Sequence, residues 1–252
     1  MNPEPFLKNG TLVWTLTTNG YKFITLNLIR SIERHKVGWR PVVVAGDKDS
    51  YVFFRREGIA TLLYPKAEHT REMQITKWGT EQFSKYNFIK LYVLNEFAKN
   101  PAVKKCIYMD GDIVVFRDFV PDLEARLEAN PETILIQCDE KGQGPCDLSG
   151  NGYCWNCCTG FIAWSHGADK GMFAVPNQAA WKERPDDQVW VNHQLRTQGI
   201  AHKTLERELY PNGAYITSIR DLKEPFLLHF NWRVGQAKIN DMKRLGEWLV
   251  PY

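Results

Sequence analysis

Residues 106–116 read "CIYMDGDIVVF", an apolar, strand-like run that stops at two aspartates one residue apart, Asp110 and Asp112, and then turns apolar again. A short continuous apolar run suits a strand buried on both faces, and such strands belong to mostly parallel sheets covered by helices. Asp-Gly-Asp is also good turn chemistry, so the tripeptide by itself reads equally well as a β-turn or as a site. The neighbouring sequence has to decide.

Upstream, strand-like and helical patterns alternate. "TLVWTL" (11–16) precedes an amphipathic stretch from Tyr21 to Lys36, "PVVVA" (41–45) precedes "SYVFFRREG", and "ATLLY" (60–64) precedes a long helical pattern. In that helix Tyr86, Ile89, Val93 and Phe97 recur every three or four residues, the spacing of one buried face. The predicted fold class is α/β, a Rossmann-like mixed sheet, mostly parallel, sandwiched by helices. Sheets of this kind bind ligands beyond the carboxyl ends of their strands, which is where Asp110 and Asp112 fall.

Downstream the pattern predicts a helix over 122–129, a strand "TILIQC" (133–138), a Gly- and Cys-rich stretch (139–158) and a strand "TGFIAW" (159–164). A further helix opens at "PDDQVWVNHQL", with Asp186 or Asp187 as its cap. A last strand, "FLLHF" (226–230), precedes a terminal helix carrying Ile239, Met242, Leu245 and Leu249. No internal repeat, linker or low-complexity tract breaks the chain, so 1–252 reads as one domain.

Composition excludes several classes. With 252 residues, 44% of them hydrophobic, and nine Trp, ten Tyr and thirteen Phe, the chain has ample material for a core. A net charge of +3, with scattered basic residues, lacks the dense stripe a nucleic-acid surface needs. The start, "MNPEPFLKNGTLVW", passes from a polar leader into a strand pattern with no basic n-region or apolar h-region, and no run is long enough to span a bilayer. The expectation is a soluble protein without an integral membrane segment, in a reducing compartment such as the cytoplasm. Five of six cysteines crowd into 138–158. Cys138, Cys146, Cys154 and Cys157 could be four zinc thiolates, but only Cys154 and Cys157 have the C-x-x-C spacing; packed thiols or a local disulfide are the other readings.

Four further features join the acidic pair: "TLTTNGY" ending the first strand, "FIKLY" in the helix before the pair, "DQVWVN" opening the later helix, and "LLHFNWRVGQAK" at the last strand. In this order they resemble the glycogenin-like branch of the GT-A glycosyltransferases, which move a sugar from a nucleotide-sugar to an acceptor. The resemblance runs over roughly 11–245. It implies a nucleotide-binding half (11–116) and a half that receives the acceptor and completes the metal site (117–252). It also implies a metal, Mn2+ or Mg2+, held by Asp110, Asp112 and His229 against the diphosphate of a UDP-sugar. Leu16, Thr18, Asn19 and Tyr21 would receive base and ribose, and Lys90, Asp110, Gly235 and Lys238 would contact the rest of the donor. Asp187 and Gln188 would lie at the reacting carbon, transfer to a glycan or other hydroxyl acceptor proceeding with retention.

The chain departs from the family in two places. One residue fewer precedes Tyr21 than in glycogenin, which makes Asn19 the firmer base contact. Cys158-Thr159-Gly160 stands where Asn-Ser-Gly or Asn-Thr-Gly is common, with Asn156 two residues earlier, so the sugar-facing contact is altered or displaced.

The chemistry supports such a set independently. A diphosphate leaving group develops negative charge, so its site needs a cation and fixed donors, and carboxylates with an imidazole suit manganese or magnesium. Each residue also has a plainer reading: His229 as a satisfied core histidine, Lys238 as a solvated lysine, Lys90 as a side chain snorkelling from an apolar helix, Asp187 as a helix cap. On the last reading Asp187→Asn leaves the fold intact within a few tenths of a kcal/mol, since Asn caps as well as Asp. A metal-dependent nucleotide-sugar hydrolase or phosphoesterase, and a sugar-binding module with a Cys-rich structural site, are the rival functions.

Overall fold

A computed structural model of the chain describes residues 1–70, 79–140, 156–175, 177–183 and 186–251. The elements run β1 (Thr11–Thr17), α1 (Lys22–Arg34), β2 (Val42–Ala45), α2 (Lys48–Arg56), β3 (Thr61–Leu63), α3 (Glu81–Ala98), β4 (Lys105–Asp110) and β5 (Ile113–Val115). After them come α4 (Val120–Ala129), β6 (Ile134–Cys138), β7 (Cys157–Ser165), α5 (Gln178–Glu183), α6 (Asp187–Thr197), β8 (His202–Thr204), β9 (Leu227–His229) and α7 (Gln236–Leu245). Among the described residues, seven strands form one sheet in the order β3-β2-β1-β4-β7-β6-β8. β3, β2, β1 and β4 are mutually parallel; β7 is antiparallel to both its neighbours, and β8 is parallel to β6.

Successive residues of the central strands feed opposite layers, as the two-residue period of a strand requires. Leu12 and Trp14 of β1, with Cys106 and Tyr108 of β4, pack against Ile89, Val93 and Phe97 of α3 and Trp190 and Val191 of α6. Val13, Ile107 and Met109 face the other way, onto Leu28 and Ile32 of α1 and Leu123 and Leu127 of α4. Trp14 sets the first layer, its ring edge-on to Phe97 at 5.0 Å and tilted on Tyr108 at 4.5 Å. Burying such side chains stabilises the sandwich by about 1.5–3 kcal/mol for each aliphatic one. The buried face of α3 is wider than a single stripe: it also takes in Asn87, Lys90, Leu91 and Leu94, because the helix packs against α6 as well as the sheet.

The strand predicted at 226–230 is not part of the main sheet. β9 pairs antiparallel with β5 in a separate two-stranded ribbon, with Ile113 opposite His229. The terminal helix stops at Leu245, because Gly246 takes a left-handed cap at φ 78°, so Leu249 lies beyond it. β8 has no hydrophobic run to betray it; "HKT" becomes a strand by adding to the edge of β6. Cys106, Cys138, Cys157 and Cys158 are buried, and none is bonded to another described cysteine. Cys146 and Cys154, and with them the four-thiolate zinc reading, lie outside the described residues. No helix among the described residues is long and apolar enough to cross a membrane.

Candidate active site

The carboxyl ends of β1 and β4 meet in register, Leu16 beside Asp110, so the loop after β1 and the acidic pair open onto one cavity of about 650 Å³. The β5–β9 ribbon then carries His229 to the same place. One ligand atom each from Asp110, Asp112 and His229 lie within 4.8 Å of one another. His229 Nε2 stands 3.3 Å from Asp112 Oδ1 and 3.7 Å from Asp110 Oδ2. The histidine is fully buried, and Nε2 has no hydrogen-bond partner, an arrangement that normally costs about 1–3 kcal/mol. Two carboxylates and an imidazole nitrogen without a hydrogen-bond partner fit a small divalent cation such as Mn2+ or Mg2+ better than the many-oxygen cage of Ca2+.

Gly160 makes the convergence sterically feasible. β6 and β7 lose regular register between Ile136 and Gln137, so that Gln137 pairs with Cys158, and the irregularity turns Thr159 and Gly160 toward the cavity. A Cβ on Gly160 would sit 2.6 Å from Asp110 Oδ2 and 3.0 Å from His229 Nε2, and closer still to His229 Cε1.

Two buried lysines flank the trio. Lys238, in the first turn of α7, donates to Asp112 Oδ2 and, at 2.5 Å, to the Tyr21 hydroxyl. Burial alone would push the Asp112 carboxyl up, but Lys238 and His229 together outweigh it and hold Asp112 well below the usual carboxylate range. Burial likewise opposes the charge on Lys238, and Asp112 and Tyr21 outweigh it, raising the lysine above its ordinary value. Lys90 lies 2.7 Å from Asp187 Oδ2 and 3.1 Å from Asp110 Oδ1, over the face of Tyr108 at 4.8 Å. Its ammonium too is raised, burial being outweighed by Asp110 and Asp187. Neither lysine is a solvated or snorkelling side chain.

At the opening of α6 the two aspartates divide their roles. Asp186 is the cap, accepting from the Gln188 and Val189 backbone N–H groups at 2.9 and 3.1 Å. Asp187 does not cap. It is buried in the cavity wall, accepting from Thr159 Oγ1 at 2.5 Å beside Lys90. Gln188 donates to Asp139 and to Asn156, both at 2.9 Å, which leaves its carbonyl oxygen for a ligand. Asp139 also accepts from Asn231 and from Trp232, at 2.5 and 2.8 Å, tying α6 to the loop after β9.

Of the residues expected to receive base and ribose, Leu16, Thr18 and Tyr21 line the cavity, as does Gly235, whose φ of 57° favours glycine. Asn19 is not among the lining residues. Its backbone N–H donates to Asp47 at 2.7 Å and its side chain accepts from Lys22 at 2.8 Å, while Tyr21 lines the cavity.

Tyr108, Gln137 and Asp139 belong to the site without being singled out from sequence, whereas Thr159 and Gly160 stand out there only as part of the altered sugar-facing stretch. Tyr108 could have been found by strand period, since it lies two residues before Asp110 on the same face and donates to its carboxylate. Gln137 and Asp139 stand at the end of β6, another strand terminus where ligands gather.

A family model described as nucleotide-diphospho-sugar transferase matches residues 39–242. Among curated proteins, the chain is 24% identical over 257 residues to beta-arabinofuranosyltransferase RAY1 of Arabidopsis thaliana, covering 92% of this chain and 46% of that protein. The chain thus spans about half the length of the curated relative it matches. Solved structures that share its fold include two glycosyltransferases. One is a glycosyltransferase involved in the glycosylation of the major capsid of PBCV-1, with TM-score 0.51, 12% identity, and 94% of this chain and 98% of that one covered. The other is the glycosyltransferase GlyE of Streptococcus pneumoniae TIGR4, with TM-score 0.52, 14% identity, and 95% and 60% covered. With the family match running across Asp110, Asp112, Asp187, His229 and Lys238, this chain belongs to the nucleotide-diphospho-sugar transferases.

Proposed function

We propose that the protein is a metal-dependent glycosyltransferase of the glycogenin-like branch, moving a sugar from a UDP-sugar to a hydroxyl of a glycan or similar acceptor with retention at the anomeric carbon. The observation that carries this reading is the convergence of Asp110, Asp112 and the unpaired His229 Nε2 between two buried lysines, in a cavity at the strand ends. A divalent cation bound by the trio would stabilise charge developing on the diphosphate.

The remaining chemistry falls to the protein's own side chains. Lys238 is within reach of the same diphosphate, and its charge acts in a site walled from water, where a fixed donor is worth most. Asp187 presents a carboxylate to the reacting carbon, steadied by Thr159 and Lys90, and the Gln188 carbonyl accepts from a sugar hydroxyl. Residues 11–116 would hold the nucleotide and 117–252 the acceptor. The arabinofuranosyl activity in the name of the plant relative puts UDP-pentoses beside UDP-hexoses among the donors to test.

The experiment is a panel of nucleotide-sugars, followed by NMR for binding, slow hydrolysis and transfer, with Mn2+, with Mg2+ and after chelation. The reading expects metal-dependent transfer whose product keeps the anomeric configuration of the donor. Hydrolysis undiminished by any acceptor would point to a hydrolase, and full activity after chelation would remove the metal.

A further inference from the structure

We propose that Gln137 is a positioning residue that locks His229 in the tautomer whose bare Nε2 faces the two aspartates. The inference rests on the metal reading of that trio and concerns a residue with no part in the motif.

The geometry leaves little freedom. Gln137, the penultimate residue of β6, is 1% exposed and has its amide nitrogen between two backbone carbonyls, Tyr210 O at 2.9 Å and Pro211 O at 3.1 Å. Turning the amide over would set its oxygen against both carbonyl oxygens and lose both hydrogen bonds, so the backbone at 210–211 dictates which way it points. Its carbonyl oxygen therefore lies 2.8 Å from His229 Nδ1 and can only accept. Nδ1 must carry the proton, and in the neutral ring Nε2 is then a lone pair.

The other tautomer would lose the bond to Gln137, setting Nδ1 and the amide oxygen as two acceptors face to face with only the Cys158 thiol, 3.7 Å away, in exchange. Its Nε2 proton would point to Asp112 Oδ1, 3.3 Å away, and occupy the position a cation would take. An outer partner that fixes the tautomer of a ligating histidine also fixes the ring's direction, and losing one lowers metal affinity by about 10- to 100-fold.

The test uses the whole chain. Long-range proton–nitrogen NMR of the metal-free wild type should show His229 with a protonated Nδ1 and a bare Nε2. An Nε2–H ring there overturns the proposal whether or not the protein binds metal. Mn2+ titration by calorimetry should then show Gln137→Met weaker than wild type by about 10- to 100-fold, with the ring tautomers mixed. Gln137→Glu keeps an oxygen at Nδ1 and, in its protonated form, donates its O–H to the carbonyls at 210–211, so it should retain the tautomer and bind Mn2+ more tightly than Gln137→Met. Equal affinity in Gln137→Met and wild type, or equal loss in the Met and Glu variants, overturns it. A wild type that binds no Mn2+ refutes the metal reading instead, while the NMR result still decides the tautomer.

Discussion

Gly160→Ala tests the trio without touching any of its members. Gly160 lies inside β7 and is not at positive φ, so Ala meets no backbone penalty, and its effect comes from the added methyl alone. That methyl would stand 2.6 Å from Asp110 Oδ2 and 3.0 Å from His229 Nε2. His229 Cε1 would be closer still; non-bonded atoms rest at about 3.5–4.0 Å, so the two side chains must withdraw by roughly 1–2 Å. Neither can do so at no cost, because His229 is held by Gln137 and Asp110 by Lys90 and Tyr108. Overpacking of this kind destabilises by about 1–3 kcal/mol, and a displacement near 1 Å costs on the order of a hundredfold in rate. Calorimetry with Mn2+ and turnover at saturating Mn2+ read the two consequences separately. The expected results are a tenfold or greater loss of Mn2+ affinity, a fall in turnover on the order of a hundredfold, and a protein that remains folded by circular dichroism. Wild-type affinity and turnover in Gly160→Ala would show that the three side chains do not work at the spacing described.

Asp187→Asn should not be silent in stability, contrary to the expectation for a cap, because it withdraws a charge from buried Lys90. Asp110 remains beside the lysine, so the loss should be about 1–3 kcal/mol, below the 3–5 of an abandoned buried charge, with turnover falling roughly a hundredfold to ten-thousandfold; near-normal turnover in the folded variant would remove Asp187 from the chemistry. Asp186 should behave oppositely: Asp186→Asn keeps the cap, and Asp186→Ala loses about 1 kcal/mol by denaturant melts. Burial and then the Asp187 charge raise the Asp186 carboxyl, so the folded state favours its protonated form, and this group's contribution to stability declines as pH rises from its unfolded value near 4 through the raised one. Melting across that window should show the decline in wild type and not in Asp186→Asn. Lys238→Met leaves Asp112 buried without its cation and should destabilise the metal-free protein by about 3–5 kcal/mol, with Mn2+ restoring more stability to the variant than to wild type. Equal Mn2+ shifts in the two proteins would show that Lys238 is not the counter-charge.

Periodicity is local, and what depends on it was legible in the sequence. The alternation of short apolar strands with three- and four-residue repeats implied a helix-covered sheet, and "CIYMDGDIVVF" placed its aspartates at a strand end, because a strand buried on both faces must become polar where it leaves the core. The assignments that depended on contacts across the chain were settled by packing. His229 reaches Asp112 because β9 pairs with β5, in a ribbon that three-residue strands do not announce. Whether Asp186 or Asp187 caps α6 is not decided by propensity, since both are good caps; the buried ammonium of Lys90 takes Asp187, and the cap falls to its neighbour. The loop after β1 is fixed by a residue far along the chain, since Asp47, the cap of α2, accepts from the Asn19 backbone N–H. A sequence can show which residue types a site has to draw on, but their pairing is set by strand register and by the requirement that every buried charge meet its opposite, and both arise only when segments far apart in the chain share one interior.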